Sequence, residues 1–388
     1  MTGERLPTPS ELRRRLHMAP EIALCECETA RVIAEHLAAL GADAVLEGVG
    51  GTGVVALFGG DAVGPTVALR AELDALPLVE TGDVPYRSAV AGRGHLCGHD
   101  GHMATLAGVA ADLTRRRPER GRVALLFQPA EETGEGARRV VDDPRWRDLG
   151  VEWAFAWHNL PGHPLGRVVV RDGAFACGSV GLELRLAGVT SHAAHPELGR
   201  SPAEATARLI QGLSALADGV ATEGGIRLST VVHARLGTEA FGTTPGEAVV
   251  CATLRADTEA GLTELRTSAE ALARSEAELA GLGLELAWRE PFPVTVPHPR
   301  ANEIVRDAAA TCGLGVEKLR EPLRWSEDFG WITADCRGTL FGLGAGEAHP
   351  PLHAPDYDFP DALLEPAARL LRALVDRVLR ESSVQEAE

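Results

Sequence analysis

The sequence predicts an α/β protein whose mostly parallel, helix-covered sheet is interrupted by an inserted α+β module. Three observations carry that expectation. Between Val54 and Asn159, short apolar runs bounded by Gly and Pro alternate with helical stretches, the pattern of parallel strands joined by crossover helices. From Leu182 to Trp288 the order changes to strand, helix, strand, strand, helix, strand. From Pro291 the first style returns. At 388 residues the chain is long enough for two domains, or for one domain carrying an insertion. The expected boundaries are a main domain in two parts, residues 1–177 and 290–388, with an inserted domain over 178–289.

Taken in order, residues 8–41 read as helices, opened by Pro9-Ser10 and continued by apolar positions at helical spacing from Thr29 to Leu37. Val54 to Phe58 and Thr66 to Arg70 read as strands, the second ending in Glu72-Leu73-Asp74. Met103 to Leu113 reads as a helix and Val123 to Phe127 as a buried strand. That strand runs into Glu131-Glu132 before a glycine-eased turn, and a helix over Ala137 to Val141 follows. Phe155 to Asn159 is another apolar strand with a ligand type, His158, at its end. Ala174 to Ser179, a run of small residues, suits a hinge.

The inserted module is read as strands over Leu182–Ala187, Ile226–Arg235, Glu247–Arg255 and Gly283–Trp288, with helices over Pro202–Leu216 and Glu259–Leu279. Four strands with two helices make an α+β sandwich. A strand over Thr339 to Leu343 and a helix over Pro360 to Leu379 complete the main domain.

Composition narrows the classes of function. The formal net charge of −17 opposes binding to nucleic acid, which needs clustered cations. No apolar run approaches the roughly 18 residues that a membrane span needs. The opening MTGERLPTPSELRRRLH lacks the layout of a secretory signal, so a cytoplasmic location is expected. Seven cysteines scattered over the chain fit reduced thiols rather than a disulfide framework. The Cys25–Cys27 pair has no second pair of ligands near it and is read as structural.

Chemistry concentrates in Gly92 to His102, which holds His95, Cys97, His99, Asp100 and His102 among glycines. Alone, such a tract is as compatible with a His-rich surface turn as with a metal site. The strand ends change that balance, because open α/β sheets gather the loops after their parallel strands along one edge. Glu72, Asp74, Cys97, His99, Glu131, Glu132, His158 and His353 all lie just past an apolar strand or in a Gly/Pro loop. Five of them, Cys97, His99, Glu132, His158 and His353, offer nitrogen, oxygen and sulfur donors for a dinuclear metal site. Two divalent ions about 3.5–4 Å apart would acidify a bridging water. Glu131, next to Glu132, is placed to carry that water's proton to a leaving nitrogen.

These residues also carry a resemblance. Arg70 to Pro77, the Cys-Gly-His-Asp-Gly-His loop, Gln128 to Glu132, Trp157-His158-Asn159, Ser191 to Ala194, Ser326 to Phe329 and Leu352 to Pro355 occur in a characteristic order. Together they resemble the dinuclear amidohydrolase/metallopeptidase family of hippurate hydrolase, N-acyl-L-amino acid amidohydrolases and plant auxin-conjugate (IAA-amino acid) hydrolases. The resemblance implies a zinc-peptidase-like main domain, an inserted lid and dimerisation domain, and hydrolysis of the amide bond of N-acyl amino acids. It implies that Cys97 bridges two divalent ions (Zn, Mn, Co or Ni), that His99, His158, Glu132 and His353 complete them, and that Glu131 is the catalytic base. Asp74 would orient a ligand, and Glu72 stands where a related branch has a metal-binding His, so it is not counted as a ligand.

His192, in the inserted domain, would bind the substrate carbonyl from the partner subunit of a homodimer, and Arg255 would meet a substrate carboxylate. His102 is read as supporting or substrate-facing, and His95, His195 and His349 as non-ligands. Three departures from the family pattern, Gly242 in place of Asn, Pro196-Glu197-Leu198-Gly199, and Ala354 after His353, bear on the substrate rather than on the metal ligands. The rival readings are a dipeptidase or carboxypeptidase of the same superfamily, and a catalytically idle metal- or metabolite-binding protein.

Overall fold

The computed structural model describes residues 5–59, 63–217 and 225–385. The first four residues of the N-terminal run read above lie outside them. Twelve strands are described: β1 (Ala44–Val49), β2 (Gly53–Phe58), β3 (Thr66–Glu72), β4 (Arg122–Gln128), β5 (Val151–Pro161), β6 (Val168–Val170), β7 (Gly178–Ala187), β8 (Arg227–Leu236), β9 (Glu247–Ala256), β10 (Gly283–Phe292), β11 (Val316–Lys318) and β12 (Arg337–Gly346). The chain divides into two compact units, Met1–Phe175 with Thr295–Glu321 and Asp328–Glu388, and Ala176–Val294 with Pro322–Glu327.

The first unit holds an eight-stranded sheet in the order β1-β2-β4-β3-β5-β12-β6-β11. Its central strands β4, β3, β5 and β12 run parallel, while β1 and β2 add an antiparallel hairpin at one side and β12 pairs antiparallel with β6. Every residue of β3 is buried, which is why it reads as a continuous apolar run rather than an alternating one. Ile33, Met103, Ile304 and Leu371 of the surrounding helices join Leu69, Phe127, Phe155 and Phe341 of the sheet in one core.

Three short strands, β1, β6 and β11, and the helix Pro299–Thr311 have no counterpart in the sequence reading. The helix expected from Met103 begins at His99. In the second unit, the sheet β10-β7-β9-β8 is antiparallel throughout. Val180, Leu182, Leu184 and Leu186 of β7 alternate inward against the helices Ala203–Ser214 and Glu259–Leu279. The seven cysteines are free thiols, but the reading of most of them as small buried residues fails, since only Cys97 and Cys177 are buried. Among the described residues, no helix is long and apolar enough to cross a membrane.

The N-terminal helix Pro9–His17 starts with a full capping box, Thr8 with Glu11. It is fastened by charge. His17 Nδ1 lies 2.8 Å from Asp100 Oδ2 and its Nε2 3.1 Å from Glu80 Oε1, all three buried. Arg13 Nη1 lies 2.8 Å from Asp358 Oδ1 and 3.5 Å from Asp100. Burial opposes the imidazolium, but Asp100 and Glu80 outweigh it and raise the His17 pKa to about 10.

An unfolded imidazole titrates near 6.5. The stabilisation from His17 is therefore complete below about pH 6.5 and is lost as pH rises towards 10. His17→Asn should destabilise the protein by about 3 kcal/mol at pH 6. Urea midpoints of the parent and the variant should converge between pH 7 and 10; a gap independent of pH would refute the charged pairing.

Candidate metal centre

The parallel strands bring the expected residues to one edge of the first unit. Glu72 ends β3 and Asp74 follows it, Glu131 and Glu132 follow β4, and His158 lies within β5 near its end. Cys97 precedes the helix that His99 opens. His353 arrives from the loop after β12, where its main-chain N–H donates to Leu96 O at 2.8 Å. Three local conformations make the convergence possible. Gly98 has φ +95°, and the space a Cβ would need there is taken by Asn159 Oδ1 at 2.6 Å, so only glycine fits. Ala130 and His353 are non-glycine residues at φ +48° and +67°, each held at a cost of about 1 kcal/mol.

Cys97 belongs to two donor groups. Its Sγ groups with His99 and His158, and also with Glu132 and His353, and in each group the ligand atoms lie within 4.8 Å of one another. Cys97 Sγ is 3.5 Å from His158 Nε2, and His353 Nε2 is 3.8 Å from Glu132 Oε2. His99 Nε2 is 3.9 Å from both Glu131 Oε2 and Glu132 Oε1. That buried nitrogen has no hydrogen-bond partner, as expected of an atom aimed at an ion.

The other ring nitrogens are committed. His99 Nδ1–H donates to Asp74 O at 2.8 Å and His158 Nδ1–H to Asn159 O at 2.9 Å, which turns each Nε2 inward. Asp74 Oδ2 accepts from Glu132 N at 3.0 Å. Burial, then the nearby Glu132 and Glu131, pushes the Cys97 thiol well above its ordinary range, so a thiolate here requires a cation beside it. Burial and His102 lower His158 to about 3, the neutral form that offers a lone pair. The donor set fits divalent ions.

Behind the donors lies a buried polar chain that the sequence reading did not assemble. His102 bridges Glu72 (Nδ1 to Oε2, 2.7 Å) and Asn159 (Nε2 to Oδ1, 2.6 Å), and Asn159 Nδ2 donates to Tyr357 OH. Arg70 joins Glu72 to Asp328 at 2.9 Å, and Asp328 also accepts from Gln128 Nε2 and Ala137 N, each at 2.8 Å. Glu72 and His102 are thus tied to protein partners, although together with His99 they also form a group whose ligand atoms lie within 4.8 Å of one another. His95 is buried, and His349 Nε2 lies 2.8 Å from Asp358 O.

The second unit carries the remaining expected residues. His192 is exposed, and its Nδ1 accepts from Ala194 N–H at 3.0 Å, which selects the Nε2–H tautomer of the neutral ring. Arg255 is half-buried and donates to Ser326 Oγ at 2.7 Å; among the described residues no carboxylate pairs with it. Gly242 is exposed, with open space where a Cβ would stand.

Comparison with known proteins agrees with this arrangement. Residues 68–377 match the model of Peptidase family M20/M25/M40. The IAA-amino acid hydrolase ILR1-like 5 of Arabidopsis thaliana is 30% identical over 383 residues, 96% of this chain and 87% of that protein. The uncharacterized hydrolase SAR1410 of Staphylococcus aureus (strain MRSA252) is 32% identical over 323 residues, 82% of each chain. The Bacillus subtilis YXEP protein, a dinuclear metal binding peptidase from M20 family, superposes with a TM-score of 0.79 at 27% identity, over 96% of this chain and 98% of that one. Family match, relatives and fold converge: the chain belongs to peptidase family M20/M25/M40 and is a hydrolase acting on amide bonds.

Proposed function

We propose that this protein hydrolyses the amide bond of N-acyl amino acids, with two divalent ions held by Cys97, His99, Glu132, His158 and His353. The observation that carries the reading is the sharing of Cys97 between two donor groups, with Glu131 beside them. Ions bound there would acidify an attacking water and polarise the scissile carbonyl. Glu131 takes the proton of that water and returns it to the leaving amine nitrogen. Asp74 keeps His99 and Glu132 aimed inward.

His192, as the Nε2–H tautomer, donates to the carbonyl oxygen as negative charge develops on it. It is supplied by a second copy of the chain in a homodimer built through the inserted domain, residues 178–289. Arg255, without a carboxylate partner among the described residues, is assigned the carboxylate of the substrate. Gly242, with open space where a Cβ would stand, is assigned to the same substrate-binding role. The donor set suits zinc through its thiolate and also admits manganese, cobalt or nickel. The IAA-amino acid hydrolase of Arabidopsis makes indoleacetyl conjugates a natural first substrate class, beside benzoyl and acetyl ones.

Amine release from N-acetyl, N-benzoyl and indoleacetyl amino acids and from dipeptides checks the reaction. The parent should turn over acyl amino acids, and Glu131→Gln should fall roughly a thousandfold in kcat. Turnover confined to dipeptides would instead make the protein a peptidase. Metal analysis after dialysis checks the donors: Cys97→Ala should retain neither ion, whereas His353→Ala should keep one. Loss of the same single ion in both variants would refute a shared thiolate.

A further inference from the structure

Building on that reading, we propose that Glu26 is a positioning residue for Glu131 and Glu132, acting through Ala130. Glu26 opens the helix Cys27–Ala39 without capping it with its side chain; Glu21 Oε2 accepts from Thr29 N at 2.7 Å there instead. The Glu26 side chain turns inward and is fully buried. Its Oε1 accepts from Ala130 N, a residue 104 positions away, at 2.8 Å, and its Oε2 from Thr52 Oγ1 at 2.7 Å. Among the described residues no cation contacts it. A carboxylate buried without a cation is a costly choice for packing alone.

The group it grips explains the choice. Ala130 is a buried non-glycine residue at φ +48°, a conformation that surrounding contacts must enforce. Glu131 and Glu132 are the next two residues, so the backbone direction at Ala130 sets where both carboxylates point. The turn is clamped from both ends: Glu26 holds Ala130 N–H ahead of it, and Asp74 holds Glu132 N–H after Glu131. Without the Glu26 acceptor, the Ala130 N–H is buried and unsatisfied, and the residue relaxes towards negative φ. Glu131 is then displaced while the sheet beneath it is unchanged.

The test uses the full-length, metal-loaded protein and four forms: parent, Glu26→Gln, Glu26→Leu, and Glu26→Leu with Ala130→Gly. Glu26→Gln keeps an acceptor and should retain kcat within about threefold. Glu26→Leu should lose at least about thirtyfold in kcat, with KM moving less than about threefold. Glycine adopts positive φ without steric cost, so Ala130→Gly should recover about tenfold of that loss. The visible absorption of the cobalt-loaded forms, which senses Glu132, should shift in Glu26→Leu and move back in the double variant.

Parent-like kcat and absorption in Glu26→Leu would overturn the proposal, as would a loss that Ala130→Gly leaves untouched. If the leucine variant does not fold, Glu26→Met is read by the same criteria. A parent without turnover on any acyl amino acid would refute the proposed reaction, and the cobalt spectra would still decide the role of Glu26.

Discussion

Asp74 is the residue on which the geometry of the centre depends. Its main-chain oxygen fixes the ring of His99, and its carboxylate fixes the backbone of Glu132. One residue just past β3 therefore holds both the ring of His99, on a helix, and the backbone of Glu132, in the turn after the neighbouring strand. This works because β3 and β4 run parallel and in register from Thr66–Arg122 to Glu72–Gln128, so their ends lie side by side. A sheet of antiparallel strands would send alternate loops to the opposite edge.

The polar groups behind the donors serve the same end by a different route. Arg70, Glu72, His102, Asn159 and Tyr357 form a buried chain in which each member has a partner. A low dielectric makes such groups strong when satisfied and costly when not, so the chain resists any shift of β3, β5 or the helix that His99 opens. The side chain of Asn159 occupies the space that Gly98 leaves vacant, which couples the Cys97 loop to β5 without a covalent link.

Much of this was legible in the sequence. Continuous apolar runs identified β3, β4 and β5 because strands buried on both faces carry no alternation to confuse them. In the second sheet the structure shows the opposite pattern, β7 and β9 alternating buried with more exposed positions. The short strands β6 and β11, three residues each, were too brief to show a period, and β1 carries Glu47 and Gly48 in a partly exposed hairpin. The proposed donors stood out by type and by position at strand ends or in Gly/Pro loops. Glu26 did not, and Asn159 and Asp328 entered only as members of motifs with no role assigned, because their roles rest on contacts as far as 258 positions away, and nothing in the local pattern distinguishes a carboxylate turned inward from one in water.

The order β5-β12-β6 has a consequence for how the molecule is made. β5 and β6 are near neighbours in the chain, yet the strand between them is the last of the described strands to be synthesised. Until β12 leaves the ribosome, β5 presents an open parallel edge rich in tryptophan and phenylalanine, the kind of surface that recruits stray strands. Four of the five proposed donors are by then already translated, and only His353 is still to come. A nascent chain stalled within the inserted unit would thus hold an incomplete ligand set beside an uncovered edge. Closure of the sheet and completion of the proposed donor set become a single late event, since His353 follows β12 within a few residues.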